Sequence, residues 1–262
     1  MTTLSVAIVC KDNAPTVGRT LESVAGLASE VVALDSGSTD ATPEILARHG
    51  ARIERVAWQG HVRTKQAALD ACRSDWILAL DSDESLTPRL RASIEAALAR
   101  NDPAIAAYEV NRKVWWNGAP LEHAWQPEWR LRLTRRGSAR WGGDDPHDAL
   151  ALTARQGRVE RLEGDLRHDS IHTLADFLRK QVFLSRIAAE SLRARGERGS
   201  VFRLVTSPPA AWLKQVLIKQ AWRDGWHGWC AASAVAAAAL MKHAILLDLA
   251  RSAADQRGDA AP

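Results

Sequence analysis

Three carboxylates fall within four positions in this chain, at Asp81, Asp83 and Glu84, closing the stretch Asp75-Trp76-Ile77-Leu78-Ala79-Leu80-Asp81-Ser82-Asp83-Glu84. Ile77 to Leu80 reads as a buried strand, and the end of a strand in an α/β sheet is where ligands dock. Asp81 and Asp83, two apart where strand gives way to loop, can turn toward one point. There they would offer hard oxygen ligands to Mg²⁺ or Mn²⁺, whose remaining positions suit phosphate oxygens. The plainer alternative is a solvated turn leading to a helix start at Thr87-Pro88. A second apolar run, Val31 to Leu34, also delivers a carboxylate, in Asp35-Ser36-Gly37-Ser38-Thr39-Asp40. Small residues after Asp35 let a ligand approach the backbone, and Thr39, Asp40 and Thr42 ahead of Pro43-Glu44 supply helix-start chemistry.

The elements that must position these groups alternate. Leu4 to Val9 reads as a first strand, followed by the polar Lys11-Asp12-Asn13 and a helical pattern from Thr16 to Ala28. Helices are expected over Ala41 to His49, Val62 to Ala71 and Pro88 to Arg100, with strands at Val31 to Leu34, Ile53 to Val56 and Ile77 to Leu80. Such alternation implies an α/β fold with a mostly parallel, Rossmann-like sheet flanked by helices and joined by right-handed crossovers. The acidic strand ends then share one edge, as in a nucleotide site, with one carboxylate for base or ribose and a pair for the metal on a diphosphate.

Taken together, strand plus Lys11-Asp12-Asn13, strand plus Asp35-Ser36-Gly37-Ser38-Thr39-Asp40, and Asp75 to Glu84 resemble the inverting family 2 glycosyltransferases of the GT-A fold. The variant with Asp81-Ser82-Asp83-Glu84 is most similar to the bacterial lipopolysaccharide core glycosyltransferases that add glucose to the inner core. Tyr108 to Arg112, Trp115-Trp116-Asn117-Gly118, Arg130 to Arg136, His147-Asp148 and His168 ahead of Thr173 to Lys180 follow that group in order. There are departures. Lys65-Gln66 stands where the group has a basic residue followed by Asn, and His147-Asp148 where it has His-Glu. The Gln-x-x-Arg-Trp signature of processive synthases is missing, so one sugar per binding event is expected.

The resemblance implies a division of labour. Lys11, Asp12, Asp35, Ser36 and Gly37 would hold the base and ribose of a nucleotide sugar, UDP-linked as the resemblance implies, with Lys65 nearby as a phosphate contact or a plain surface charge. Asp81 and Asp83 would place Mg²⁺ or Mn²⁺ on the diphosphate, Asp81 partly turned to the ribose, and His168 would complete the coordination. Asp148 is the expected base, with Asp144 and Asp145 as alternatives. Trp125, together with Trp129 and Trp141, can stack on sugar faces or fill the core. Arg130 and Arg132, on an alternating stretch with Arg135 and Arg136, would face an anionic or lipid-linked glycan acceptor, or protect a strand edge.

Composition sets the frame for the remainder. At 262 residues, 46% hydrophobic and 25% charged, the chain is of ordinary globular make-up. A GT-A catalytic domain over residues 1–173, a helical extension over 174–250 and a disordered tail over 251–262 are expected. Three widely spaced cysteines argue against a disulfide framework and for a reducing compartment, and no basic-then-apolar leader precedes Leu4, so a cytoplasmic protein is expected. Ten Lys/Arg against four Asp/Glu lie between Ala175 and Cys230. Within that stretch Trp222, Trp226 and Trp229 share a helical face if the helix runs through Gly225 and Gly228. Trp beside Lys and Arg suits a helix lying in a membrane interface, and Ala231 to Met241 is too short to span one. Peripheral attachment to the cytoplasmic face of the inner membrane is therefore expected, with no transmembrane helix and no nucleic-acid partner. Packing of these helices on the catalytic domain is the alternative. Two competing functions remain: a sugar nucleotidyltransferase, which would need a Gly-rich phosphate loop after its first strand, and a non-enzymatic basic membrane or nucleic-acid adaptor.

Overall fold

The computed structural model describes residues 2–143, 148–153, 157–171 and 173–258. The chain divides into two compact units, Met1–Val114 with Pro127–Ser170, and Trp115–Gln126 with Ile171–Pro262. The division expected near residue 173 thus falls at 170/171, and residues 115–126 group with the helices rather than with the sheet.

The first unit begins with four strand-helix repeats: β1 (Leu4–Cys10), α1 (Ala14–Val24), β2 (Glu30–Asp35), α2 (Thr42–Arg48), β3 (Arg52–Arg55), α3 (His61–Asp70), β4 (Trp76–Asp81), β5 (Glu84–Leu86) and α4 (Pro88–Arg100). It continues through β6 (Ile105–Trp116), whose last two residues pair with β7 (Ala119–Pro120) in the second unit, then β8 (Trp129–Arg135), β9 (Ala139–Gly142), β10 (Ala149–Leu152) and β11 (Arg158–Ile171). The main sheet runs β3-β2-β1-β4-β8-β6-β11-β5, parallel across β3, β2, β1 and β4. Beyond β4 it becomes antiparallel, as β4 pairs β8, β8 pairs β6 and β11 pairs β5. The α/β class holds, and the parallel half is the part that the alternating pattern describes.

Burial on both faces explains why β1 and β4 read as unbroken apolar runs. One face packs Ile8, Leu78 and Leu80 against Val17 and Leu21 of α1 and Leu90 and Ile94 of α4. The other packs Ala7, Ile77 and Ala79 against Ala68 and Leu69 of α3 and Trp141 and Leu150 of the β9-β10 ribbon. Period-two alternation then puts Asp81, two past Ala79, on the α3 side. Register does the rest. Cys10 lies beside Asp35 on β2, and Val9 lies beside Asp81 on β4, so both carboxylates reach the carboxyl edge of the sheet.

In the second unit, α5 (Leu174–Ala194) and α6 (Val201–Leu213) pack on α7 (Gly225–Gly258). A π-helical turn, Lys214–Ile218, extends α6, and a 3-10 turn, Ala221–Asp224, precedes α7. Helix α7 runs to Gly258. The expected shortness of its apolar run is corrected here. One helical stretch, Ala221–Arg251, is also long and apolar enough by length and composition to cross a membrane. Lys242-His243 interrupts the apolar run in sequence, but two polar residues do not end a helix, and Ala244 to Leu247 resume the apolar run on the other side. The proposed Trp face is broken as well, because Trp222 sits in the 3-10 turn and only Trp226 and Trp229 lie on α7. Gly228 allows that turn to press close: a Cβ there would lie 1.7 Å from the Ala221 carbonyl oxygen.

Candidate active site

The loops after β1 and β2 are laced together. Asp12, in the left-handed region at φ 53°, accepts hydrogen bonds from the Thr39 backbone N–H at 2.7 Å and hydroxyl at 3.1 Å, and its own N–H donates to the Ser38 hydroxyl. The Asn13 N–H donates to Thr42, and the Ala14 N–H to Asp40. Asp12 is therefore a loop tie in this structure. Asp35 is buried and accepts from the Ser38 N–H at 3.1 Å, while Lys11 is exposed. Beside it the Ser36 hydroxyl is buried with no hydrogen-bond partner. Gly37 turns the chain at φ +89°, with nothing within 4 Å of where a Cβ would stand. An unsatisfied hydroxyl next to an open, glycine-only turn is a place where a ligand's polar group can be received.

At the end of β4, Asp81 is gripped by two cations, Lys65 Nζ at 2.6 Å and Arg132 at 3.2 Å. Lys65 also reaches Asp148 at 2.9 Å, so one ammonium joins the carboxylate at the strand end to the one ahead of β10. Burial would raise the Asp81 carboxyl, but Arg132 and Lys65 overcome it and hold it well below the usual carboxylate range. Burial would likewise lower Lys65, and Asp81 and Asp148 reverse that, keeping the ammonium above its ordinary range. The Lys65 side chain is only 13% exposed, held between Asp81 and Asp148.

Glu84 explains the position of Arg132. Its buried carboxylate takes the guanidinium at 2.6 Å and also accepts the Asp81 backbone N–H at 3.0 Å. Arg112 lies 3.6 Å from Glu84 and forks onto Glu128 at 2.7 and 3.0 Å. A β-bulge aims Arg132 inward: Tyr108 and Glu109 of β6 pair with Leu133 and Leu131, so Arg132 is the extra residue on β8. The Trp141 ring underlies both cations, with Lys65 4.7 Å and Arg132 5.6 Å from its centre. Gln66 fixes that ring's strand by accepting the Trp141 N–H at 2.9 Å.

Asp83, beyond the strand, meets a residue 85 positions away. His168 on β11 brings Nε2 to 3.3 Å from its carboxylate, because β11 pairs β5 with His168 opposite Glu84. The His168 Nδ1 is buried without a hydrogen-bond partner. Carboxylate oxygen plus imidazole nitrogen is a donor pair that Mg²⁺ or Mn²⁺ accepts. Among the described residues no three His, Cys, Asp or Glu side chains gather into a complete cation cluster. Such an ion would thus draw the rest of its shell from water and ligand oxygens.

Several sequence-predicted residues are placed elsewhere. The arginines of β8 do not form one acceptor-facing surface. Arg132 is buried on Asp81 and Glu84, Arg130 pairs with Glu128, and Arg135 stacks on Trp76 and donates to the Ile105 and Asp102 carbonyls. Trp125 belongs to the second unit, where its ring meets Phe177 at 5.8 Å. Trp129 lies beneath Arg161, and Trp141 is a buried platform rather than an open stacking face. Asp144, Asp145 and His147 lie outside the described residues. Sequence reasoning assigned no part to Arg112, Glu128 or the support given by Glu84. The only signal was Glu84's place in the acidic run, for nothing in the chain links it to an arginine 48 residues on.

A family profile described as glycosyl transferase family 2 matches residues 5–156, more than half of the chain and the whole stretch from β1 to β10. The chain belongs to glycosyl transferase family 2. Among family relatives, an uncharacterized glycosyltransferase of Rickettsia prowazekii is 27% identical over 257 residues, covering 95% of this chain and 88% of that one. The lipopolysaccharide core biosynthesis glycosyltransferase LpsC of Rhizobium meliloti is 28% identical over 236 residues, covering 86% and 84%. Among solved structures, glucosyl-3-phosphoglycerate synthase of Mycobacterium tuberculosis, determined with Mn²⁺, UDP and glucosyl-3-phosphoglycerate, overlaps 45% of each chain at 25% identity and a TM-score of 0.35. For this family 2 enzyme the edge that gathers Asp35, Asp81, Asp83 and Asp148 is the candidate catalytic centre.

Proposed function

We propose that this chain is a metal-dependent inverting enzyme that moves a hexose, glucose, from a UDP-linked donor to a hydroxyl of a lipopolysaccharide inner-core or related anionic, lipid-linked glycan. The observation that carries the reading is the meeting of Asp83 and His168 at the strand edge that also holds Asp81. The family membership supports glycosyl transfer, and the relative LpsC supports the acceptor class. Three free cysteines are in keeping with work in the reducing cytoplasm, at the inner face of the membrane.

Asp83 and His168 fit a divalent cation by donor type, and they would hold it against the donor's diphosphate. When bound, that cation neutralises charge building on the leaving group, a contribution of several kcal/mol in such sites. Ser36 and Gly37 receive the nucleoside end, with Asp35 fixing their turn. Asp148 takes the proton of the acceptor hydroxyl as its oxygen bonds to the anomeric carbon, and the bond from that carbon to the diphosphate oxygen breaks on the opposite side. The electron pair leaves with UDP, and the anomeric configuration inverts. Lys65 holds Asp148 in place at 2.9 Å, and Arg132 with Glu84 keeps Asp81 in position.

Transfer from UDP-glucose to inner-core oligosaccharides, followed by mass spectrometry and by the anomeric configuration of the product, tests this. Asp148→Asn is expected to lower kcat by ~10²- to 10⁴-fold, the usual worth of a general base, and Asp83→Ala by at least as much. Full activity in Asp148→Asn would remove that residue as the base, and a product with retained configuration would sink the inverting mechanism.

A further inference from the structure

Exposed large apolar side chains are concentrated in the helical unit. Among the described residues, all but Trp58 and Val159 of the strongly exposed ones lie there. Helix α6 is mostly apolar in sequence, yet none of its residues is buried. An amphipathic helix in a globular protein normally turns its apolar stripe inward. Here Phe202 (74% exposed), Val205 (66%) and Leu213 follow one face of α6, and the π-helical turn carries that line on to Leu217 (65%) and Ile218 (72%). A continuous exposed apolar strip of this kind marks an interaction surface.

The charges around the strip identify what it meets. Arg195, Arg198, Lys214 and Arg223 are exposed in the same stretch of chain, while Arg203 pairs with Glu197 and Lys219 donates to the Gln126 carbonyl. The two acids in the same stretch are engaged internally, Glu197 by Arg203 and Asp224 by the backbone N–H groups of Glu122, His123 and Ala124. Trp226 and Trp229 expose indoles at the start of α7, and Trp229 stacks with Trp212 of α6. An apolar strip flanked by cations and indoles is complementary to an anionic bilayer surface, where cations meet headgroups and indoles sit at the interface. Helix α7 packs against α5 and α6 and buries Ala231, Ala232, Ala234, His243 and Leu246, while the larger part of its apolar stretch is not buried.

We propose that the face formed by Phe202, Val205, Leu213, Leu217 and Ile218 lies on a membrane surface rich in anionic phospholipid, as a peripheral attachment. This does not depend on the donor chemistry proposed above. Flotation of the full chain with vesicles of phosphatidylcholine, with and without phosphatidylglycerol, tests it. Binding is expected with phosphatidylglycerol and at least tenfold less without it. Phe202→Ser combined with Leu217→Ser should lower vesicle partition at least tenfold, and Lys214→Gln about fivefold. Circular dichroism and UDP-glucose binding should be unchanged in both variants. Equal vesicle binding by the double variant would overturn the proposal, as would no binding by the unaltered chain. Carbonate-resistant association would point instead to insertion of α7, and a dimer in light scattering that the double variant dissociates would show that a second copy covers the strip. Either result would also overturn the proposal.

Discussion

Arg132 illustrates how much a single side chain can carry in this site. Its guanidinium is buried between Asp81 and Glu84, and Glu84 is fully enclosed. Removing one partner of such a cluster leaves an uncompensated buried charge, which typically costs 3–5 kcal/mol. Arg132→Met is expected to lower stability in denaturant unfolding by less than that amount, because Lys65 stays on Asp81 and Arg112 stays 3.6 Å from Glu84, and adding Glu84→Gln should restore part of it by removing the charge left with the longer pairing. No recovery in the double variant would mean that the pair acts through packing alone. The pH dependence follows from the sign of the Asp81 shift. With its folded pKa depressed, its stabilising contribution is complete above the ordinary Asp value of about 3.9 and is lost only as pH falls through the lower folded value. Lys65, shifted upward, contributes fully below the ordinary lysine value and loses its contribution only as pH rises through its higher folded value. The charge cluster should therefore remain intact across neutral pH. The thiols of Cys10 and Cys72, pushed up to about 12 chiefly by burial, should be unreactive over the same range.

Among elements, α7 carries a buried histidine that should make its unit sensitive to acid. His243 is buried in the helical unit, its Nδ1 has no hydrogen-bond partner, and burial, with Lys242 and Arg203 nearby, lowers its pKa while Glu197 opposes them. A histidine whose folded pKa lies below its unfolded value of about 6.5 binds protons more readily when unfolded, so stability falls as pH drops below that value. Thermal unfolding should show a lower midpoint at pH 5 than at pH 7, and His243→Leu should flatten that dependence. An unchanged slope in His243→Leu would assign the sensitivity to other groups. Elements also differ in how far they can be read from sequence. Strands β1, β2 and β4 are legible because burial on both faces requires short unbroken apolar runs, and the carboxylates after β2 and β4 interrupt those runs visibly. The antiparallel half is not legible in the same way. Strand β5 has three residues, β6 mixes Glu109, Asn111, Arg112 and Lys113 among its apolar positions, and the bulge at Arg132 breaks the alternation that the arginine-face reading relied on. His168 was found through family resemblance. Its pairing with Asp83 depends on the β5-β11 register, a contact between distant segments that periodicity does not encode.

Across the whole molecule, the sheet unit carries the acidic edge with its compensating Lys65, Arg112 and Arg132, while the helical unit carries the exposed apolar strip with a surplus of cations. Each unit presents a different chemistry, and composition averages the two into a formal net charge of only +4. The catalytic reading stands or falls with the sheet unit's edge, where every invoked group but Asp148 lies on or directly after a strand or within α3. The most direct test is calorimetric titration of UDP-glucose into the full chain, with and without Mn²⁺, and into Asp83→Ala and His168→Ala. The account predicts binding that requires Mn²⁺ and is at least tenfold weaker in each variant, with the fold retained by circular dichroism. Binding of equal strength without Mn²⁺, or in both variants, would contradict it.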